Sequence, residues 1–202
     1  MSEILVLFYS RYGATAELAR QVARGVEAVP GASARLRTVP PVAAVTEKAA
    51  PPVPDSGAPY VEIADLEDCD GLVLGSPVRF GNMAAPLKAF LDSTASLWIS
   101  GTLAGKPAGV FVSGQSMHGG QEATQLSMML PLLHHGMLLV GVPFTEKSMS
   151  ATRSGGSPYG ASHVAGEEAV PRLTADERSV AQALGQRVAQ VAVALASART
   201  AP

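Results

Sequence analysis

Three short stretches place hydroxyls, glycines and an aromatic ring at spacings that suit a phosphate-bearing, flat ligand. The first is Ser10-Arg11-Tyr12-Gly13-Ala14-Thr15, between an apolar run and an amphipathic stretch. A helix opening there presents unpaired N–H groups and the positive end of its dipole, which favour an anion. Ser10 and Thr15 add hydroxyl donors, and Gly13 permits a tight turn around a phosphate. No Gly-Lys-Ser/Thr follows and no Gly-x-Gly-x-x-Gly is present, so neither a Walker loop nor a dinucleotide fingerprint is indicated. The second stretch is Ser76-Pro77-Val78-Arg79-Phe80-Gly81-Asn82, where an aromatic edge adjoins a permissive backbone position. Peptide groups of such a loop can lie against a flat ring and donate to its edge. The third, Ser113-Gly114-Gln115-Ser116-Met117-His118-Gly119-Gly120, again allows close backbone approach. Each has a plainer alternative: a strand–helix turn capped by Thr15, a solvated Arg79 beside a core Phe80, and simple loop flexibility.

The elements needed to position these loops are legible. Residues 4–9 form a continuous apolar run, as strands buried on both faces do. Leu18, Val22 and Val26 then recur every fourth residue, one face of a helix. A weakly alternating strand is expected over 32–39, a short helix over 63–68 and a buried strand over 71–75. Helix over 83–97, strand over 107–113, helix over 121–135 and strand over 137–142 follow. Residues 40–59 are rich in Pro and Ala and read as a surface excursion with a short helical turn near 45–49. Residues 145–173 show no period and read as a long loop and a second excursion. Thr174-Ala-Asp-Glu177 is a capping box, and Val180, Leu184, Val188, Val191 and Leu195 share a face of the helix it opens. Strand–helix alternation of this kind predicts one α/β domain spanning 1–202, a doubly wound parallel sheet of five strands with helices on both faces. If the first, third and fourth strands are neighbours, all three loops share one crevice. That is the order 2-1-3-4-5 of the flavodoxin-like fold, which binds a flavin at the switch point.

Composition narrows the function classes. The chain has 202 residues, a formal net charge of -2 and scattered Lys and Arg, which argues against nucleic acid as a main ligand. A single cysteine, Cys69, excludes an internal disulfide and a cysteine metal cage, and reads as a small buried residue. The four histidines lack metal-site spacing, so no metal is expected. No leader or membrane-length apolar run is seen, so no membrane insertion and a cytoplasmic location are expected. Charged residues are only 16% of the chain, against about 25% in an average soluble domain, which points to subunit interfaces.

Several runs carry a more specific signal: Tyr9-Ser10-Arg11-Tyr12-Gly13, Gly75 to Met83 through Arg79-Phe80-Gly81-Asn82, Leu97-Trp98, Gly119-Gly120-Gln121-Glu122, His134-His135-Gly136-Met137 and Gly156-Ser157-Pro158-Tyr159-Gly160. With them the chain resembles the WrbA family of NAD(P)H:quinone oxidoreductases, from first strand to last helix. The resemblance implies FMN as cofactor, NADH or NADPH as electron donor, quinones as acceptors and a homotetramer. It carries Ser10, Arg11, Tyr12, Gly13, Ala14 and Thr15 onto the FMN phosphate. It carries Val78, Arg79 and Phe80 onto the ring, with Pro77, Gly81 and Asn82 of the same loop also cofactor-binding, and Ser113, Gly114, Gln115, Ser116 and Gly119 onto the ring and ribityl chain. His134 is carried onto the flavin site, and Tyr12 and Trp98 onto the nicotinamide or quinone pocket. The family's third loop usually reads Ser-Thr-Gly-Thr-Gly-Gly-Gly. This one is a residue longer, with Ser113 and Ser116 offering the hydroxyls. Arg11 either pairs with the phosphate or points to water.

On this reading the flavin carries the chemistry and no protein residue becomes covalent. A nicotinamide gives a hydride to flavin N5 and leaves, and a quinone takes its place, a ping-pong sequence. Two alternatives stay open: a flavodoxin-type electron carrier, and a related FMN reductase with another acceptor. A carrier that docks redox partners transiently profits from strong surface charge, which a net charge of -2 does not supply. No loop shows a 2′-phosphate clamp or an acidic ribose partner, so NADH and NADPH are not distinguished.

Overall fold

The computed structural model describes residues 1–43, 54, 56–167 and 171–199. The helical turn expected near 45–49 lies outside them. The apolar run becomes β1 (Ser2–Phe8), with Ile4 to Leu7 fully shielded from solvent. Alternate residues of β1 point to opposite sides of the sheet and so seed two cores. Ile4, Val6 and Phe8 pack with α1 (Ala14–Glu27) and α7 (Ala175–Arg199). Leu5 and Leu7 pack on the other face with Leu66 of α2 (Ile63–Asp68) and Leu87 and Leu91 of α3 (Ala85–Asp92). Leu97 of α4 (Ala95–Ser100) and Met128 and Leu132 of α5 (Gln121–His134) complete that core.

The sheet runs β2 (Ala32–Thr38), β1, β3 (Gly71–Pro77), β4 (Pro107–Gly114), β5 (Leu138–Leu139), with every pairing parallel. This is the expected order 2-1-3-4-5, with helices on both faces. A sixth strand, β6 (Ala161–Val164), also pairs with β4. β5 and β6 divide one position: β5 lies beside Pro107 and Ala108, and β6 beside Phe111 to Gly114. The strand expected over 137–142 is therefore shorter, because the chain leaves β4 where β6 takes over.

The reading of 145–173 as a loop without structure is corrected by β6 and by α6 (Lys147–Ala151). Ala161, Ser162, His163 and Met149 of this segment are buried. The helix expected over 83–97 is two helices. Ser93 and Thr94 turn their hydroxyls onto the carbonyls of Phe90 and Leu91 (2.6 and 2.7 Å), satisfying the end of α3 and breaking the run.

On the opposite side α1 and α7 meet closely. A Cβ placed on Gly25 would lie 1.9 Å from the Gln182 carbonyl oxygen, and one on Gly185 would lie 2.1 Å from that of Val22. Only glycine at both positions lets the two backbones approach this far. At the sheet edge, Arg35 and Arg37 of β2 reach Asp65 at 3.0 and 2.9 Å. Burial raises the Asp65 carboxyl pKa, but the Glu62 N–H and the two guanidiniums outweigh it and leave the group below the usual carboxylate range. Among the described residues no helix is long and apolar enough to cross a membrane.

Candidate functional site

The loops after β1, β3 and β4 emerge at one edge of the sheet and enclose a cavity of about 630 Å³. Ser10, Arg11, Tyr12, Ala14 and Thr15 line it from the first loop, and Pro77, Val78, Arg79 and Phe80 from the second. Ser113, Gly114, Gln115, Ser116 and Gly119 line it from the third. Ala165 completes the wall and was not anticipated: a lone alanine carries no chemical signal in sequence.

Gly13 sits at the N-cap of α1 with φ 91°, a conformation that costs glycine little. As a glycine, Gly13 offers no side-chain cap, so the N–H groups of Ala14 and Thr15 at the start of the first turn remain available to an anion. Ser10 Oγ accepts from Ala16 N–H at 3.2 Å and holds the loop folded over that end. Two bonds tie the loops together. Thr15 Oγ1 and Ser113 Oγ are 2.8 Å apart and both residues are buried, and Val78 N–H donates to the Ser113 carbonyl at 2.8 Å.

The second loop is a tight reverse turn. Arg79 and Asn82 exchange backbone hydrogen bonds at 2.9 and 3.0 Å, and Phe80 (φ 53°) and Gly81 (φ 74°) both have positive φ. Positive φ at both central positions is the pattern of a type I′ turn. It holds the Phe80 ring wholly in solvent at the cavity mouth. A large apolar side chain in left-handed backbone and fully exposed is unfavourable for the isolated chain on two counts. Gly81 and Asn82 shape the turn rather than the wall. Asn82 Oδ1 accepts from Met83 N–H at 2.8 Å, and the Gly81 carbonyl accepts from Ser127 Oγ at 3.3 Å.

The longer third loop is held from inside: Gln121 Nε2 donates to the Ser116 carbonyl at 2.6 Å, and Gly119 N–H to the same oxygen at 3.2 Å. Among the lining residues Arg11 and Arg79 are cations and none is acidic, so the site favours an anion. The Arg11 guanidinium stacks over the Tyr12 ring, 5.3 Å from its centroid. Arg79 Nη1 donates to the Val78 carbonyl at 2.7 Å.

His134 and Trp98 are not brought to this cavity. They line a different one of about 400 Å³, between α3, α4 and α5, with Thr94, Leu130, Pro131 and His135. There Thr94 donates to the Leu91 carbonyl, so its hydroxyl accepts from His135 Nε2 at 3.0 Å. That fixes the tautomer and leaves buried Nδ1 with a lone pair. Burial, and secondarily His134, lower the His135 pKa below its ordinary value. Cys69 is buried, and burial raises its thiol to about pKa 11, so it is no nucleophile. No cluster of metal-ligating side chains is present among the described residues.

Residues 4–148 match the family described as NADPH-dependent FMN reductase. The chain belongs to this family. It is 42% identical to an NAD(P)H dehydrogenase (quinone) of Trichlorobacter lovleyi, over 96% of this chain and 99% of that protein. It is 41% identical to one from Geobacter sulfurreducens, over 95% and 98%. Among solved structures it resembles a WrbA-like flavodoxin from Agrobacterium tumefaciens (TM-score 0.65, 22% identity, 96% and 99% covered). An archaeal flavodoxin is also similar (TM-score 0.62, 16% identity, 95% and 99% covered). These likenesses agree with the flavodoxin-like sheet order. The cavity also suits the cofactor named in the family description. A helix N-terminus opened by a glycine lies with hydroxyls in one loop, an aromatic and a proline in another, and the cavity volume falls within the few hundred to about 1,000 Å³ usual for such ligands.

Proposed function

We propose that this chain is an FMN-dependent NAD(P)H:quinone oxidoreductase acting in the cytoplasm as a homotetramer. The observation that carries the reading is the convergence of three loops, free of acidic residues, on the open N-terminus of α1 beneath an exposed aromatic. The relatives' names, NAD(P)H dehydrogenase (quinone), supply the donor and acceptor classes.

Ser10, Thr15 and the first-turn N–H groups of α1 would hold the phosphate. Pro77, Val78 and Phe80 would flank the ring, and Gln115 and Ser116 would lie along its edge. When bound, FMN supplies two-electron chemistry, taking a hydride from NADH or NADPH and passing both electrons to a quinone that occupies the same position in turn. The protein's part is orientation and shielding. The three loops would hold the ring, backbone donors of the third loop would stabilise the charge that develops on it, and Tyr12 and Phe80 would wall the mouth for an aromatic substrate.

Trp98 and His134 join this reading only through assembly. Their cavity lies beside exposed Ile99, Leu130 and Leu133, an apolar surface suited to a second copy of the chain. In the proposed tetramer they reach the cofactor site of a neighbouring subunit.

The test is to add FMN to the purified protein and follow NADH and NADPH oxidation with and without benzoquinone. Oxidation requiring both FMN and quinone supports the proposal. FMN binding without quinone-dependent turnover, accompanied by a stable one-electron-reduced flavin, refutes it in favour of an electron carrier.

A further inference from the structure

The carboxylate of Glu177 is completely buried and gathers more bonds than a helix cap requires. The capping box itself is present: Thr174 N–H donates to Oε2 at 2.8 Å, and Glu177 N–H donates to Thr174 Oγ1 at 3.1 Å. The other partners belong to different parts of the fold. Oε1 accepts from Ser154 Oγ at 2.7 Å and from the N–H groups of Gly155 and Val164, both at 3.0 Å. Oε2 also lies 3.0 Å from Nδ1 of His163, itself buried. An ionised carboxylate only accepts, so Nδ1 carries the proton. Burial alone would raise the Glu177 pKa. The bonds from His163, Thr174, Val164 and Ser154 outweigh that and hold it at about 2.

Two of these partners, His163 and Val164, belong to β6, and β6 holds the third loop. It pairs with β4 up to Gly114↔Val164. Just beyond, Ala165 N–H donates to the Gly114 carbonyl at 2.8 Å, and Gly166 N–H to the Gln115 carbonyl at 3.0 Å. A trans peptide is planar, with its C=O and N–H pointing in opposite directions. Anchoring the Gly114 carbonyl on the β6 side therefore turns the Gln115 N–H away from β6. Anchoring the Gln115 carbonyl does the same for the Ser116 N–H. Away from β6 is the side of β3, whose loop contributes Pro77 and Val78 to the cavity.

We infer that Glu177 is a positioning residue for the cofactor site: acting with His163 through β6, it aims the backbone donors of Gln115 and Ser116 across the cavity without touching the ligand. The inference rests on the FMN reading above. It gives 145–173 a task, since this segment brings β6 and the Ser154–Gly155 turn to one carboxylate. Donors fixed along the ring edge favour the electron-rich reduced state over the oxidised one. Loosening them weakens FMN binding and makes the bound flavin harder to reduce.

The experiment compares Glu177→Gln with Thr174→Ala in the full chain reconstituted with FMN. The Gln amide keeps one acceptor and loses the other, so β6 is less firmly held. Thr174→Ala removes the cap hydroxyl of the same helix and leaves the carboxylate in place. Expected for Glu177→Gln is about a tenfold rise in the FMN dissociation constant, read by flavin fluorescence, with a more negative midpoint potential. Thr174→Ala is expected to lower the thermal midpoint and change neither flavin readout. Unchanged FMN affinity and potential in Glu177→Gln, or equal losses in both variants, would overturn the inference. If Glu177→Gln does not fold, His163→Leu and His163→Gln replace it. The Leu variant is expected to weaken FMN binding and the Gln variant, which keeps a donor, to restore most of it; wild-type affinity in the Leu variant overturns the inference. If the unaltered protein binds no FMN, the proposed function fails, and amide exchange then decides the positioning role. Faster exchange at Gln115 and Ser116 in Glu177→Gln supports it, and unchanged exchange refutes it.

Discussion

Replacing Gly185 by alanine should destabilise this protein, although the same change in an exposed helix would stabilise it. Alanine is the better helix former by about 1 kcal/mol. Here, however, the new Cβ would lie 2.1 Å from the Val22 carbonyl oxygen, well inside the 3.0 Å below which something must shift. The atom it meets is backbone, so α1 and α7 must separate by about 1 Å. Leu18, Val22 and Val26 of α1 and Val180, Leu184 and Val188 of α7 are buried in the core these helices share. If each makes on the order of ten contacts across the interface at about 0.15 kcal/mol, losing a quarter of that attraction costs about 2 kcal/mol. That agrees with the roughly 1–3 kcal/mol usual for overpacking. Net of propensity, the loss should be about 1–2 kcal/mol, and Gly25→Ala should behave alike. The double variant should fall short of additivity, because the first substitution already opens the gap the second needs. Urea denaturation of the three variants measures this directly. A higher midpoint for Gly185→Ala at unchanged slope, or strict additivity, would refute close backbone contact between α1 and α7.

Other outcomes follow from the site and its supports. Phe80→Gly relieves the positive φ at the turn and removes an exposed ring. Urea denaturation without cofactor should show stability within about 0.5 kcal/mol of the parent or above it, while FMN-supported quinone reduction falls. Cys69, buried and with its thiol raised to about pKa 11, should resist a disulfide reagent at pH 8 in the native protein and react on unfolding in urea. Acid should destabilise the fold through Glu177 and Asp65. Both carboxyls lie below their unfolded pKa values, so the unfolded chain takes up their protons first as pH falls. The contribution of Glu177 is whole above about pH 4.5 and fades towards about pH 2, and that of Asp65 is likewise lost as pH falls below its ordinary carboxylate range. Thermal midpoints measured down this range should drop less steeply in Glu177→Gln than in the parent.

The sequence conveys some of these features well and others hardly at all. β1 was legible because both its faces are buried, which leaves an uninterrupted apolar run. The first two loops were legible because each joins a buried strand to a helix and bears residues suited to an anion or a ring. β6 was not, because Ala161-Ser162-His163-Val164 has no alternating pattern and owes its place to a carboxylate in another element. Glu177 was legible as a cap, since Thr174 lies three residues before it. Its ties to Ser154, Gly155 and β6 are tertiary and leave no local trace. The break between α3 and α4 was hidden because hydroxyls at 93 and 94 are compatible with a continuing helix. Trp98 and His134 entered through family resemblance alone, and within one chain the fold keeps them apart from the three loops.

The divided strand position beside β4 bears on how copies of this protein can meet. An edge strand with a free row of backbone groups invites another chain to add to the sheet. Here one border consists of two short pieces that cannot offer a continuous ladder. The other border, β2, carries Arg35 and Arg37 bound to Asp65, and an incoming strand would have to accommodate these charged side chains. Both borders thus discourage growth by sheet extension. The proposed assembly would instead use helical surfaces such as that of Leu126, Leu130 and Leu133 on α5, where contact would bury side chains and leave each sheet complete within its own chain.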